Sequence, residues 1–360
     1  MTKTIIAAAA LALITGAAHA QTNVTIYGIM DAGVLHERGG VAGSVTKIGS
    51  GIGSASRIGF RGTEDLGGGM TALFTLENGT KIDTGEVDAA GTMFNRQAFV
   101  GIKGKAGMVT IGRQYTPWHQ ALAQVGDPFN TGYAGGSKNV FPDFGANVRT
   151  SNTVMYTTPT VSGFPADIAY AFGEQAGDSE AGRNMGASVG YVKGPLNVRA
   201  AYNHKNSDVV AAPGVPAVVR GNASNKLIAA NYDFKIVKLY AAFSADKGFN
   251  AAPLGNANNP YGFRRPTAST DGNEVLLGVI APVGPGNVVA TVMRKDDRTS
   301  FDQDAQSWGI GYLYSLSKRS SIYTVYGHTV NKNGAGYTVA NNTDAGTGDR
   351  AFNMGVRHTF

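Results

Sequence analysis

The chain has 360 residues, with 31 Lys and Arg against 25 Asp and Glu, and a formal charge of +6. It has no cysteine, which excludes a disulfide framework, and only 16 % of its residues are charged, against a usual value of about 25 %. Glycine numbers 50, yet 15 Tyr and 16 Phe exclude a disordered chain and point to many turns joining aromatic-rich strands. The positive residues are scattered without a cluster or recognition motif, so nucleic acid is not an expected partner.

Residues 1–20 read as a cleaved export signal. Met1-Thr2-Lys3 supplies a positive start, the stretch 5–14 is apolar, and Ala18-His19-Ala20 fits a small-x-small cleavage site before Gln21. The apolar stretch is too short for a membrane helix. Lys3 is the only charged residue ahead of Gln21, so cleavage lowers the charge by one. No Pro- or Ser-rich linker follows, and 21–360 is expected to be a single domain. The most apolar later stretch, 275–283, is short and contains Pro282. Residence in a membrane would therefore need a β-barrel, whose alternating strands also fit a mean hydropathy of -0.11.

Strand-like runs are separated by connections that alternate between long and short. The long ones are expected at 38–56, 80–95, 115–149, 175–183, 206–225, 248–272, 298–303 and 331–350. The short ones fall at 65–68, 104–107, 159–163, 193–195, 234–236, 282–286 and 317–320. Seven short and eight long connections imply about sixteen strands, an even number with tight turns at one end and long loops at the other.

Within strands one face is apolar. Val198, Ala200, Tyr202 and His204 oppose Arg199, Ala201, Asn203 and Lys205, and Leu239, Ala241, Phe243 and Ala245 oppose Tyr240, Ala242, Ser244 and Asp246. Trp308, Ile310, Tyr312, Tyr314 and Leu316 form another such row. The run 319–329 is ambiguous, because both faces carry Tyr or Val, and Lys226 falls on an apolar side. In the last run, Phe352, Met354, Val356, His358 and Phe360 share one face, with Arg357 on the other. That strand is expected to pair with the one around 24–34 and close the wall, leaving no edge in lipid. The fold class is an all-β transmembrane antiparallel barrel. A polar inner face around so many strands implies an aqueous channel.

Four blocks carry a family resemblance: Asn23-Val-Thr-Ile-Tyr-Gly-Ile-Met-Asp-Ala-Gly33, Ser56-Arg-Ile-Gly-Phe-Arg-Gly-Thr-Glu-Asp65, Asn95-Arg-Gln-Ala-Phe-Val-Gly-Ile-Lys103 and Gly112-Arg-Gln-Tyr-Thr-Pro117. With the terminal Phe360 strand, they resemble general porins of the Gram-negative outer membrane, of the beta-proteobacterial type. The resemblance implies a sixteen-stranded homotrimeric barrel that passes small hydrophilic solutes by diffusion. It also implies outer-membrane lipid and lipopolysaccharide as surroundings, and a barrel-assembly machinery that reads Phe360. In that family the third external loop folds into the barrel. Here this would be 115–149, a length that is rare unless functional. Trp118, Phe129, Tyr133, Phe141 and Phe144 would anchor it.

The same resemblance implies a constriction of wall arginines facing loop acids. Carried over are Arg57, Arg113 and Arg149, with Arg61 on the face of Arg57 and Arg96 in the third block. Asp143 matches the acidic part of the loop, and Asp127 matches more loosely. Arg113 shares parity with Val109 and Ile111, so facing the lumen requires a bulge at Gly112 or the strand end. Arginines outnumber loop acids, and anion preference is expected.

Other chemistry is not expected. His36, His119, His204, His328 and His358 lack metal-ligand spacing, no Walker loop or nucleophile elbow occurs, and Gly49-Ser-Gly-Ile-Gly53 reads as loop. No enzyme, metal or cofactor is implied. The alternatives are a solute-specific channel on the same fold and a non-conducting surface barrel serving as adhesin or rim enzyme.

Overall fold

A computed structural model describes residues 23–40, 43–138, 140–253 and 269–360. The expected signal segment, 1–20, lies outside the described residues. The wall begins with β1 (Asn23–Gly40), β2 (Gly43–Ser50), β3 (Arg57–Gly67), β4 (Met70–Gly79), β5 (Gln97–Gly104) and β6 (Gly107–Tyr115). After a long insertion come β7 (Arg149–Thr157), β8 (Ala166–Ala171), β9 (Asn184–Lys193), β10 (Leu196–Asn206) and β11 (Asn222–Asp233). Then follow β12 (Lys238–Phe249), β13 (Ser269–Val283), β14 (Gly286–Asp297), β15 (Ala305–Ser315), β16 (Ser320–Asn331) and β17 (Arg350–Thr359).

These strands form one antiparallel sheet that closes on itself. β17 pairs with β1 from Ile29↔Thr359 to Arg38↔Arg350. Phe360 adds a rung: its N–H donates to the Gly28 carbonyl at 3.1 Å, and its carbonyl accepts from the Gly28 N–H at 3.2 Å. The seam thus joins the expected strands, with its pairing shifted a few residues along β1. Closure leaves no unpaired edge, which an oily surrounding demands.

β1 meets two strands on its other side. Ala32 to Gly40 face β2, and Asn23 to Ile29 face β3. β2 and β3 are therefore two halves of one wall strand, and the barrel has the expected sixteen. The expected long loop over 38–56 is corrected here, because most of it is wall. β2 escapes the alternation test because Ile48 is the only large apolar residue on its outer face, where Ser44 and Thr46 also lie. The break between the halves turns inward. Asp31, fully buried on β1, accepts N–H bonds from Gly53 at 2.9 Å and Ser54 at 2.7 Å, and the Tyr323 hydroxyl donates to it at 2.6 Å. Ile52 is driven into the interior with Phe129 and Tyr133. Arg357 faces this inner region, as expected, where its charge acts on Asp31 and Tyr133.

The apolar rows face outward as expected: Val24, Ile26, Phe243, Ile310, Met354 and Val356 are all exposed on the barrel exterior. In a bilayer this surface meets hydrocarbon. The inner face carries polar groups such as Asn203, Asn225, Ser244 and Asn353, all buried. Lys226 does lie on the outer face, and it is exposed.

The ambiguous strand now has a physical reason. On β16, Tyr323 and Val325 point inward yet are buried, because the inserted segment covers them. Tyr133 of that segment meets Tyr323 edge-on at 4.9 Å. Across the lumen, Trp118, Leu122, Val125, Val140 and Phe141 pack on inward-facing Leu227, Leu276 and Met293. Two wall glycines permit this close approach. A Cβ on Gly309 would stand 2.1 Å from the Gly135 Cα, and one on Gly327 would stand 2.1 Å from the Ala134 carbonyl oxygen.

Candidate functional site

The insertion between β6 and β7 begins with a short helix, Pro117–Ala121. Pro at its start supplies a helical φ, and the Thr116 hydroxyl caps it by accepting the His119 N–H at 3.1 Å. The Thr116 hydroxyl also donates to the Asn147 carbonyl at 2.5 Å, which ties the start of the insertion to its end. Trp118, Phe129, Tyr133 and Phe141 are buried anchors. Phe144 differs: it lines the cavity, with the Lys138 ammonium 4.9 Å from its ring centre.

Between the insertion and the wall of β3–β7 lies a cavity of about 440 Å³. Among the described residues, Arg57, Arg96, Arg113, Arg149 and Lys138 line it, with Asp88 and Asp143 as its acids. Three of the four arginines, Arg57, Arg96 and Arg149, converge on two acceptors. Glu77, buried on β4, sits 2.7 Å from Arg96 Nε and 3.6 Å from Arg57 Nη1. The Tyr27 hydroxyl also donates to Glu77, at 2.9 Å. The Tyr115 hydroxyl accepts from Arg96 Nη2 at 2.6 Å and from Arg149 Nη2 at 2.8 Å. A phenolic oxygen has the two lone pairs this requires. The Tyr115 ring is stacked against His119 at 4.9 Å, and the Arg149 guanidinium lies 4.4 Å from its centre.

Each expected residue has a definite place. Arg57 is aimed by the wall break, because its Nε donates to the Ala55 carbonyl at 2.8 Å. Arg113 reaches the cavity through a register shift between Gly112 and Gln114, with Gly112 at φ +134, so a bulge stands where parity required one. Its Nε donates to the Asn95 carbonyl at 2.6 Å and its Nη1 to Ser151 at 3.0 Å. Asp143 meets His119 Nδ1 at 2.5 Å. Burial opposes its ionisation, but the His119 ring and Lys138 hold the carboxyl below its usual range.

Two residues fall outside the cluster. Arg61 is exposed, with its guanidinium 5.2 Å from the centre of the Tyr27 ring, and does not line the cavity. Among the described residues no arginine bonds or pairs with Asp127. Its buried carboxylate accepts N–H bonds from Phe129 at 2.8 Å, Thr131 at 3.1 Å and Ser137 at 2.7 Å, so it shapes the insertion. Burial still pushes its carboxyl up.

Sequence reasoning missed Lys138, Glu77, Tyr115 and Asp88. The position of Lys138 in Gly-Gly-Ser-Lys gave no sign that it would turn towards the arginines. Burial pushes its ammonium down to about 8, with Asp143 opposing that shift and Arg149 adding to it.

A closed barrel with an apolar exterior, a polar interior and an inward loop beside a cavity lined by charge defines a membrane channel. Comparison with known proteins agrees. A family model described as Gram-negative porin matches residues 7–334. An outer membrane porin protein of Bordetella pertussis is 33 % identical, covering 100 % of both chains. Outer membrane porin protein 32 of Delftia acidovorans is 32 % identical, again over 100 % of both. Among solved structures, the anion-selective porin from Comamonas acidovorans superposes with a TM-score of 0.76 at 28 % identity, covering 94 % of this chain and 100 % of that one.

The chain belongs to the Gram-negative porin family. It is an outer-membrane barrel that forms a water-filled channel for passive diffusion of small hydrophilic solutes and ions.

Proposed function

We propose that this porin prefers anions, and that Arg57, Arg96, Arg113, Arg149 and Lys138 line its narrowest point. The observation that carries the reading is the imbalance of the cavity wall: five cationic side chains against two carboxylates, one of which is paired with His119. Glu77 lies behind the arginines and offsets part of their charge. Guanidinium groups stay charged at any working pH, and several beside a narrow aqueous passage raise local anion concentration and lower the anion's barrier. The similar barrel from Comamonas acidovorans is described as anion-selective, which supports the same reading here.

Asp143 belongs to the constriction in this reading, and Arg61 and Asp127 do not. The homotrimer, cleavage before Gln21, the surrounding lipopolysaccharide and recognition of Phe360 by the assembly machinery belong to the proposal through family likeness. The function is transport without catalysis. Neutralising two wall charges in R57Q/R149Q tests it: the zero-current potential in a KCl gradient should move towards the cation side. An unmoved potential would remove these arginines from the selective point.

A further inference from the structure

A second cavity, of about 450 Å³, adjoins the constriction at the long-loop ends of β6–β10. Arg113 and Arg149 border both cavities, so the two share a wall. Arg183, from the connection between β8 and β9, and Lys205, on the inner face of β10, supply two more cations. Among the described residues, no carboxylate lines this cavity. Asn184, Asn206, Thr150 and Ser151 add neutral hydrogen-bonding groups.

The pocket is held in shape by its own backbone. The Asn206 N–H donates to the Arg183 carbonyl at 2.9 Å, and the Gly182 N–H donates to the Asn206 side chain at 3.2 Å. Gly173 lets the two arms of this loop touch, since a Cβ there would stand 1.9 Å from the Ala181 carbonyl oxygen. Lys205 is buried, and its Nζ donates to Asn147 Oδ1 at 3.1 Å, which joins the pocket to the end of the constriction loop.

Among the described residues the four cations have few counter-charges, and the buried Asp246 that acts on Lys205 is itself bonded to Lys295 and Asn225. Arg183 Nη1 pairs at 2.9 Å with Glu180, whose side chain is largely in solvent, and such a pair is weak. Asp208 lies beyond the rim, with its carboxylate taken by the amides of Arg220 and Gly221. The Nε atoms of Arg149 and Arg183 are buried and have no hydrogen-bond partner. Buried donors without acceptors and like charges drawn together are both unfavourable, and a bound anion relieves both.

We propose that this cavity binds small divalent oxyanions beside the constriction and delivers them to it. Cations on opposite walls, Arg113 and Arg149 against Arg183 and Lys205, fit an anion with two negative charges better than chloride. Sulfate, hydrogen phosphate and short dicarboxylates share that chemistry. The proposal rests on the anion preference argued above and adds a binding step to it.

The test uses the full-length protein in planar bilayers carrying chloride current at constant ionic strength, titrated with sulfate in one arm and succinate in the other. Saturable block of the chloride current by either probe is expected, and which probe blocks at lower concentration distinguishes a compact oxyanion from a dicarboxylate. In R183Q/K205Q the half-blocking concentration should rise about tenfold. R183K keeps the charge and should retain block. If the double variant yields no channels, K205Q alone is compared with the wild type and should show the same direction of change. Absence of saturable block in the wild type, or equal block in the charge-neutralised variants, overturns the site. The zero-current potential is read on the same membranes. An anion-side potential without block overturns the pocket alone, and a cation-side potential overturns the anion preference itself.

Discussion

Arg96 donates from Nη2 to the Tyr115 hydroxyl at 2.6 Å, and this contact organises the wall of the charged cavity. Arg149 uses the same oxygen, so one neutral acceptor holds two cations side by side. Y115F would keep the ring that Arg149 and His119 lie against but leave both arginines without this acceptor. Losing charge-assisted bonds of this kind costs about 1–3 kcal/mol. We expect Y115F to give channels with noisier current and a smaller anion-to-cation permeability ratio. Single-channel recording checks it, and Y115F currents as quiet and as anion-preferring as those of the wild type would count against the role of Tyr115.

The pH dependence should come from Lys138. Its ammonium is pushed down to about 8, from 10.5, chiefly by burial. Anion preference should fall as pH rises through 8, when one of the five cations is lost. The stability effect has the opposite sign. Between about 8 and 10.5 the unfolded chain binds the proton more readily than the folded one, so stability from this group rises with pH. K138Q should flatten the selectivity profile between pH 7 and 9, as measured by zero-current potential at each pH.

Loop placement depends on small wall residues. G327A would put a methyl 2.1 Å from the Ala134 carbonyl oxygen, so the insertion must lift from β16. Overpacking of this kind costs about 1–3 kcal/mol. The expected result is a larger single-channel conductance and a lower thermal unfolding temperature.

The Phe360 ring lies over Gly28, where a Cβ would stand 2.3 Å from it. Both G28V and F360A should reduce the fraction of folded barrel in membranes, measured by heat-modifiable gel mobility. G28V should do so even though Phe360 is still present, because the ring loses its seat at the seam.

Much of this architecture is legible in the sequence. The alternation of short and long connections counts sixteen wall strands, and outward rows such as Trp308, Ile310 and Tyr312 follow from period two. The inserted loop announced itself by length and by Trp118 and Phe141. β2 was not legible, because its glycines and hydroxyl residues carry no apolar alternation. The run 319–329 is ambiguous in sequence because the loop that covers its inner Tyr323 and Val325 comes from a distant part of the chain. Asp127 shows the limit of reading a loop acid by type, since the same carboxylate can face a pore or fasten its own loop. Glu77 and Tyr115 were missed because their partners sit on or beside neighbouring strands, and only the pairing register, which sets Glu77 against Gln97 and Tyr115 against Arg149, brings them together.

The central claim is that the wall charges make this channel select anions. The most direct measurement is the zero-current potential of the wild-type protein in a planar bilayer under a KCl gradient at pH 7. The account predicts a potential on the chloride side, with discrete conductance steps. A potential on the potassium side would contradict it.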